Sequence, residues 1–259
     1  VHQGILRIKT ENGIEGNCII GQHRGDSLQK INNIRKFTYF LKNKSVFSTN
    51  NLWNFINSRP KFSMNRFSDD DFSAYSSIDV ALWDAKGKLL NLPVYSLLGG
   101  ENKEIKAYGT YQPRHNEPEG YVKESEEIKN LNLKAYKIHP GPMETEKTIK
   151  MINDVRENLG RNFTLMIDPN NSYDLKKSLD IGEALDENDF YWFEDPLKWN
   201  DFKNIEILGS KLKTPLAMTD QSEFKFKEIY LYSSKLYPQI LRGTSRKLGI
   251  TGLMKACAV

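Results

Sequence analysis

The chain has 259 residues, with 37 basic against 33 acidic side chains, a formal charge of +4 and 39% hydrophobic residues, enough for a packed core and too many for general disorder. No stretch approaches the roughly 18 apolar residues of a membrane span, no basic-then-apolar leader opens the chain, and the positive charge is spread over helical stretches that also carry Glu and Asp. These features predict a soluble, cytoplasmic protein that binds neither membrane nor nucleic acid. Cys18 and Cys257 fit no CxxC or CxxH spacing, so two buried free thiols are expected rather than a disulfide or a zinc site.

Residues 5–20, ILRIKTENGIEGNCII, alternate around Asn12-Gly13 and predict a β-hairpin. Helical stretches follow at 26–43, 50–57 and 73–90, the last with Ile78, Ala81, Leu82, Ala85 and Leu89 at helical spacing before Pro93 and Gly99-Gly100. Residues 1–103 therefore read as a small α+β unit. From Ile105 the texture changes to short apolar runs at 105–109, 134–138, 163–167, 190–193, 215–218 and 238–241, separated by helix candidates near 118–131, 144–158, 173–186, 199–208, 223–235 and 249–258. Strand and helix alternating at this interval predict an α/β fold with a parallel sheet. Six units over about 155 residues suit the first part of an eight-unit barrel, which takes about 250 residues on its own.

In such a barrel the residues that end the strands gather on one face. The third run ends in Asp168 (MIDPNNS), the fourth in Glu194 (YWFEDPL) and the fifth in Asp220 (LAMTDQS), each one strand–helix unit from the next. Three like charges at one level need a cation, and carboxylate oxygens without His or Cys favour a hard ion such as Mg²⁺. The alternative is that these acids cap the following helices. Asn170 is a further polar contact on the same face. The second run ends Lys137-Ile138-His139, and residues two apart in a strand point the same way, so both basic side chains should face the carboxylates as proton-transfer groups.

The segment SSIDVALWDAKGKLLNLPVYSLLGG (76–100), the series Asp168, Glu194, Asp220 and the turn LGITGLMKA (248–256) together resemble the mandelate racemase/muconate lactonizing branch of the enolase superfamily. The resemblance implies an α+β capping domain, here 1–103, over a modified TIM-type barrel, here 104–259, with the chain starting at the second cap strand and ending six strands into the barrel. It also implies Mg²⁺ held by the three carboxylates and removal of the proton next to a substrate carboxylate, the base being a Lys or His. Lys137 and His139 occupy the family's Lys-x-Lys position, with His in the second place. The family's dyad Asp has no counterpart in Arg242-Gly243-Thr244-Ser245-Arg246-Lys247, where Lys247 is the match for a sixth-strand lysine. His23 and Arg24, after the hairpin, and Tyr111 and Arg114, past the first barrel strand, are expected to contact substrate. The resulting expectation is Mg²⁺-dependent dehydration of a sugar acid by a homo-oligomer, with racemase or epimerase, muconate-type cycloisomerase and a non-catalytic relative as alternatives.

Overall fold

The computed structural model describes residues 3–20, 27–57, 69–218 and 226–259. The chain forms two compact units, one of residues 1–104, 223–230 and 243–259, the other of 105–222 and 231–242.

In the first unit β1 (Gly4–Lys9) and β2 (Glu15–Ile20) are antiparallel, with Gly4 opposite Ile20 and Lys9 opposite Glu15. Thr10 N donates to Ile14 O (2.9 Å) and Gly13 N to Thr10 O (3.0 Å), closing a three-residue loop in which Gly13 takes the left-handed conformation (φ 85°). The helices α1 (Ser27–Arg35), α2 (Thr38–Leu41), α3 (Thr49–Asn57), α4 (Asp69–Leu90) and α5 (Val94–Leu97) follow. Ile78, Leu82 and Ala85 of α4 are buried in one cluster with Phe37, Leu52, Trp53 and Ile56, as their helical spacing predicts.

A second side of α4 is polar and equally buried, which the apolar spacing does not reveal. It meets α11 (Ser245–Cys257), a helix broken at Gly249. The Asp79 carboxylate accepts from Thr251 N (2.8 Å) and Thr251 Oγ1 (2.6 Å), and Thr251 Oγ1 accepts from Trp83 Nε1 (2.9 Å). Asp79 thereby caps the continuation of α11 beyond the break, satisfying donors that a helix start leaves open. Gly249 has φ 68°, and a Cβ there would fall 2.6 Å from Asp79 Oδ2. The 243–259 segment packs with the first unit for this reason.

Both cysteines are free, but neither is buried as expected: Cys18 on β2 is half-buried, and Cys257, in the final turn of α11, is exposed.

The second unit is a parallel sheet in sequence order: β3 (Gly109–Thr110), β4 (Ala135–Ile138), β5 (Thr164–Ile167), β6 (Trp192–Glu194), β7 (Leu216–Met218) and β8 (Ile240–Leu241). Helices α6 (Pro118–Asn130), α7 (Thr145–Leu159), α8 (Leu175–Glu187), α9 (Phe202–Lys211) and α10 (Phe226–Ser233) alternate with the strands. The first run yields a shorter strand than its apolar letters suggest, only Gly109 and Thr110. Leu165, Ile167, Phe193, Leu216 and Met218 are buried on the helix-facing side of the sheet. Arg156 of α7 is also buried, donating to the carbonyls of Asn188 (2.8 Å), Gly160 (3.0 Å), Phe163 (2.7 Å) and Asp189 (3.2 Å), which ties the turns before β5 and β6 together. Among the described residues no helix is long and apolar enough to cross a membrane.

Two outcomes follow from the contact between α4 and α11. Gly249→Ala should lower stability by about 1–3 kcal/mol, since any side chain there combines a positive φ with a clash against Asp79; an unchanged midpoint in urea would contradict this. Burial raises the Asp79 carboxyl above its ordinary range, against the opposing hydrogen bonds of Thr251. A folded value above the unfolded one gives stability that is complete below about pH 4 and is lost as pH rises through the folded value; Asp79→Asn should remove that slope.

Candidate active site

The strand registers set the level of each side chain. Thr110 lies opposite Lys137, Lys137 opposite Met166 and Met166 opposite Trp192, forming one row on the inner face. One step up, Asp168 N donates to Ile138 O (2.8 Å), and Ile167 pairs with Phe193, so His139, Asp168 and Glu194 share the next row. Glu194 is opposite Ala217, and Ala217 opposite Ile240. The equal chain intervals thus put Asp168 and Glu194 level, as expected. On β7 the residue level with Glu194 is Ala217. Asp220, His23 and Arg24 lie outside the described residues.

Asp168 and Glu194 are 1% and 0% exposed. Lys137 Nζ stands between them, 3.0 Å from Asp168 Oδ2 and 3.0 Å from Glu194 Oε2. Trp192 Nε1 donates to Glu194 Oε2 (3.1 Å), and the Arg242 guanidinium pairs with Glu194 Oε1. His139 Nε2 is 3.1 Å from Asp168 Oδ2. Burial alone would raise the Asp168 carboxyl, but the His139 hydrogen bond and the Lys137 charge outweigh it and hold the group below the usual carboxylate range.

The ring of His139 is oriented by its other nitrogen. Nδ1 is 2.7 Å from Tyr111 O and 3.0 Å from Thr110 Oγ1, whose own hydrogen is directed to Lys137 O (2.9 Å). Both neighbours are then acceptors, so Nδ1 carries a hydrogen, while Nε2 faces the Asp168 carboxylate. Tyr108 forms an edge-to-face pair with Trp192 (6.0 Å) and lies 6.0 Å from Lys137 Nζ, giving the amine an aromatic wall. On the helix side of β4, Tyr136 hydrogen-bonds Glu124, which also holds Arg114 Nε (2.7 Å). The Tyr121 hydroxyl accepts from Gly141 N (2.6 Å) and faces the His115 and His139 carbonyls, pinning the loop that follows His139.

The helix-capping alternative is decided residue by residue. Asp174 and Asp201 cap α8 and α9, accepting from Lys177 N (2.8 Å) and Asn204 N (3.4 Å), whereas Asp168 and Glu194 cap nothing. Asn170 folds back on Asp168: its N donates to Asp168 Oδ1 (2.9 Å) and its amide to Asp168 O (3.3 Å), with φ at 56°. Tyr111 contributes its carbonyl to His139, while its ring lies 3.9 Å under the Arg114 guanidinium, which is engaged by Glu124 and Glu127. Lys247 is not at a strand end: β8 stops at Leu241, Thr244 caps α11, and Lys247 falls in the first turn of that helix, in the first unit. Among the described residues, no group of three or more His, Cys, Asp or Glu side chains converges as a ready-made metal site.

Thr110, Trp192 and Arg242 were not anticipated. The rule that selected Asp168 and Glu194, reading the residue after each apolar run, also selects Thr110 after the first run and Arg242 after the sixth.

Comparison with known proteins decides the family. Residues 2–99 match the mandelate racemase/muconate lactonizing enzyme N-terminal domain, and residues 120–259 match the enolase C-terminal domain-like model. The chain belongs to the enolase superfamily, in its mandelate racemase/muconate lactonizing enzyme family. Within that family, it is 29% identical over 158 residues to the arabinonate dehydratase of Saccharolobus solfataricus, covering 60% of this chain and 42% of that protein. The structure of the 3,6-anhydro-D-galactonate cycloisomerase from Zobellia galactanivorans superposes with a TM-score of 0.84 at 29% identity, covering 98% of this chain and 70% of that one. A mandelate racemase/muconate lactonizing protein from Paracoccus denitrificans, solved complexed with magnesium, shares the fold at a TM-score of 0.84 and 23% identity, covering 98% and 70% of the two chains. The chain matches less than half the length of the curated sugar-acid dehydratases it resembles.

The Lys137 bridge generates a stability prediction. Lys137→Met strands two buried carboxylates, so unfolding in urea with chelator present should show a loss of about 3–5 kcal/mol, far more than for an exposed lysine.

Proposed function

We propose that this chain carries the proton-transferring centre of an acid-sugar dehydratase, which removes the proton next to a substrate carboxylate and expels the neighbouring hydroxyl as water. The observation that carries this reading is the gathering of two proton carriers, Lys137 and His139, and two buried, level carboxylates, Asp168 and Glu194, at adjacent strand ends. The donor set suits a hard divalent ion: the groups are oxygen-only, buried, and negative enough to draw two side-chain cations onto them. Asp168 and Glu194, with Asp220 as the third ligand read from the sequence, would hold Mg²⁺. A bound ion supplies stabilisation of the negative charge that grows on the substrate carboxylate as the proton leaves.

The chain's own residues account for the proton's path. Lys137 Nζ and His139 Nε2 face the same space, and the Tyr111 carbonyl keeps Nε2 directed into it. The α-C–H bond breaks with its proton passing to one of these nitrogens. The released electron pair forms the double bond as the β-C–O bond breaks, and the hydroxide departs as water with a proton from the other nitrogen. Burial of both groups keeps bulk water from competing.

The resemblance to a 3,6-anhydro-D-galactonate cycloisomerase favours a second reading, in which the same proton abstraction leads to ring opening and isomerisation. Incubation of the purified chain with Mg²⁺ and a panel of aldonic and aldaric acids separates the two by mass: dehydration loses one water, whereas cycloisomerisation conserves mass. Dehydration is expected, falling by about 10²-fold or more in Lys137→Ala and His139→Ala. Absence of both product and solvent-deuterium exchange at the α-carbon across the panel would sink the proposal.

A further inference from the structure

We infer that Arg242 is a built-in counter-cation that competes with a divalent metal ion for Glu194 and thereby sets the metal affinity of this site. The inference rests on the reading of Asp168 and Glu194 as metal ligands. Arg242 is the first residue past β8, anchored by its backbone N to Met218 O (3.1 Å). Ile240 is level with Ala217 and Ala217 with Glu194, so Arg242, two residues beyond Ile240, projects from the same face one layer higher. Among the described residues, the intervening strand β7 presents the methyl group of Ala217 on that face. The Arg242 guanidinium pairs with Glu194 Oε1 across this strand.

Glu194 Oε2 already takes Lys137 Nζ (3.0 Å) and Trp192 Nε1 (3.1 Å). Glu194 Oε1 makes no hydrogen bond, and the cation it faces is Arg242, so a metal ion approaching Oε1 meets the guanidinium. The two cations differ in how easily they can leave. Lys137 is 5% exposed and shared with Asp168, whereas Arg242 is 28% exposed and holds Glu194 from the rim. The guanidinium is the group with somewhere to go. A fixed positive charge next to the ligand opposes a second one by Coulomb repulsion as well as by occupancy.

The test is metal binding without turnover: Mn²⁺ affinity from the spin-resonance signal of the free ion, and Mg²⁺ affinity by titration calorimetry, on the wild-type chain, Arg242→Met, Arg242→Gln and Glu194→Gln. Both Arg242 variants should bind about tenfold more tightly or better, at unchanged stoichiometry, since one like charge beside the ion has gone. Gln keeps the polarity and much of the length of Arg, so it reports on charge if Met perturbs folding. Glu194→Gln should lose binding. If Glu194→Gln loses metal while both Arg242 variants bind no more tightly than wild type, the Arg242 inference is overturned and the ligand assignment stands. If Glu194→Gln binds as wild type does, the ligand assignment falls and the inference with it.

Discussion

Two carboxylates cannot be buried side by side on adjacent strands unless positive charge is buried with them. Asp168 and Glu194 are level, almost wholly removed from water, and close enough to share one ammonium group. Everything around them follows from that electrostatic requirement. Lys137 comes up from the row beneath, Arg242 from the row above, and Trp192 and Asn170 fill remaining acceptor positions with N–H donors. The cost of desolvating this many charges is several kcal/mol per ion, and only the pairing geometry offsets it. A site with this arrangement is organised around charge rather than around apolar contact.

The outer shell works through direction. Thr110 and Tyr111 leave His139 with one orientation, while Tyr121 and Glu124 hold β4 and the loop after it from the helix side. One strand therefore carries Lys137 and His139 on its inner face and their supports on its outer face. In the first unit the α4 helix has a comparable double duty, with an aliphatic stripe against the core cluster and a polar stripe, Asp79 and Trp83, against α11.

Much of this was legible in the residues. Alternation around Asn12-Gly13, the helical spacing of Ile78, Leu82 and Ala85, and the recurrence of apolar runs before helical segments each reflect a single local rule that the fold obeys. Lys137 and His139 were legible because strand geometry fixes the side to which residues two apart point. What escaped detection depends on pairing between strands. The register between strands, which no chain interval states, makes Ala217 the neighbour of Glu194 on β7. Lys247 looked like a strand-end lysine because the length of β8 is not written in its apolar letters; the strand ends early and Thr244 starts a helix. Arg242 and Thr110 were passed over for a chemical reason: carboxylates draw attention as ligands, whereas a threonine or an arginine at the same position is easily taken for a loop residue.

The lysine shared by Asp168 and Glu194 has a bearing on the order in which this protein is made. Carboxylates that depend on an external ion for neutrality would repel each other throughout folding, and the nascent chain would need the ion to be present as the strands close. Here the first neutralising charge is covalently part of β4, 31 residues before Asp168 and 57 before Glu194. On a ribosome it emerges ahead of both acids, so each carboxylate meets its partner as soon as its own strand pairs. The charge balance of Asp168 and Glu194 is thereby carried by the chain itself.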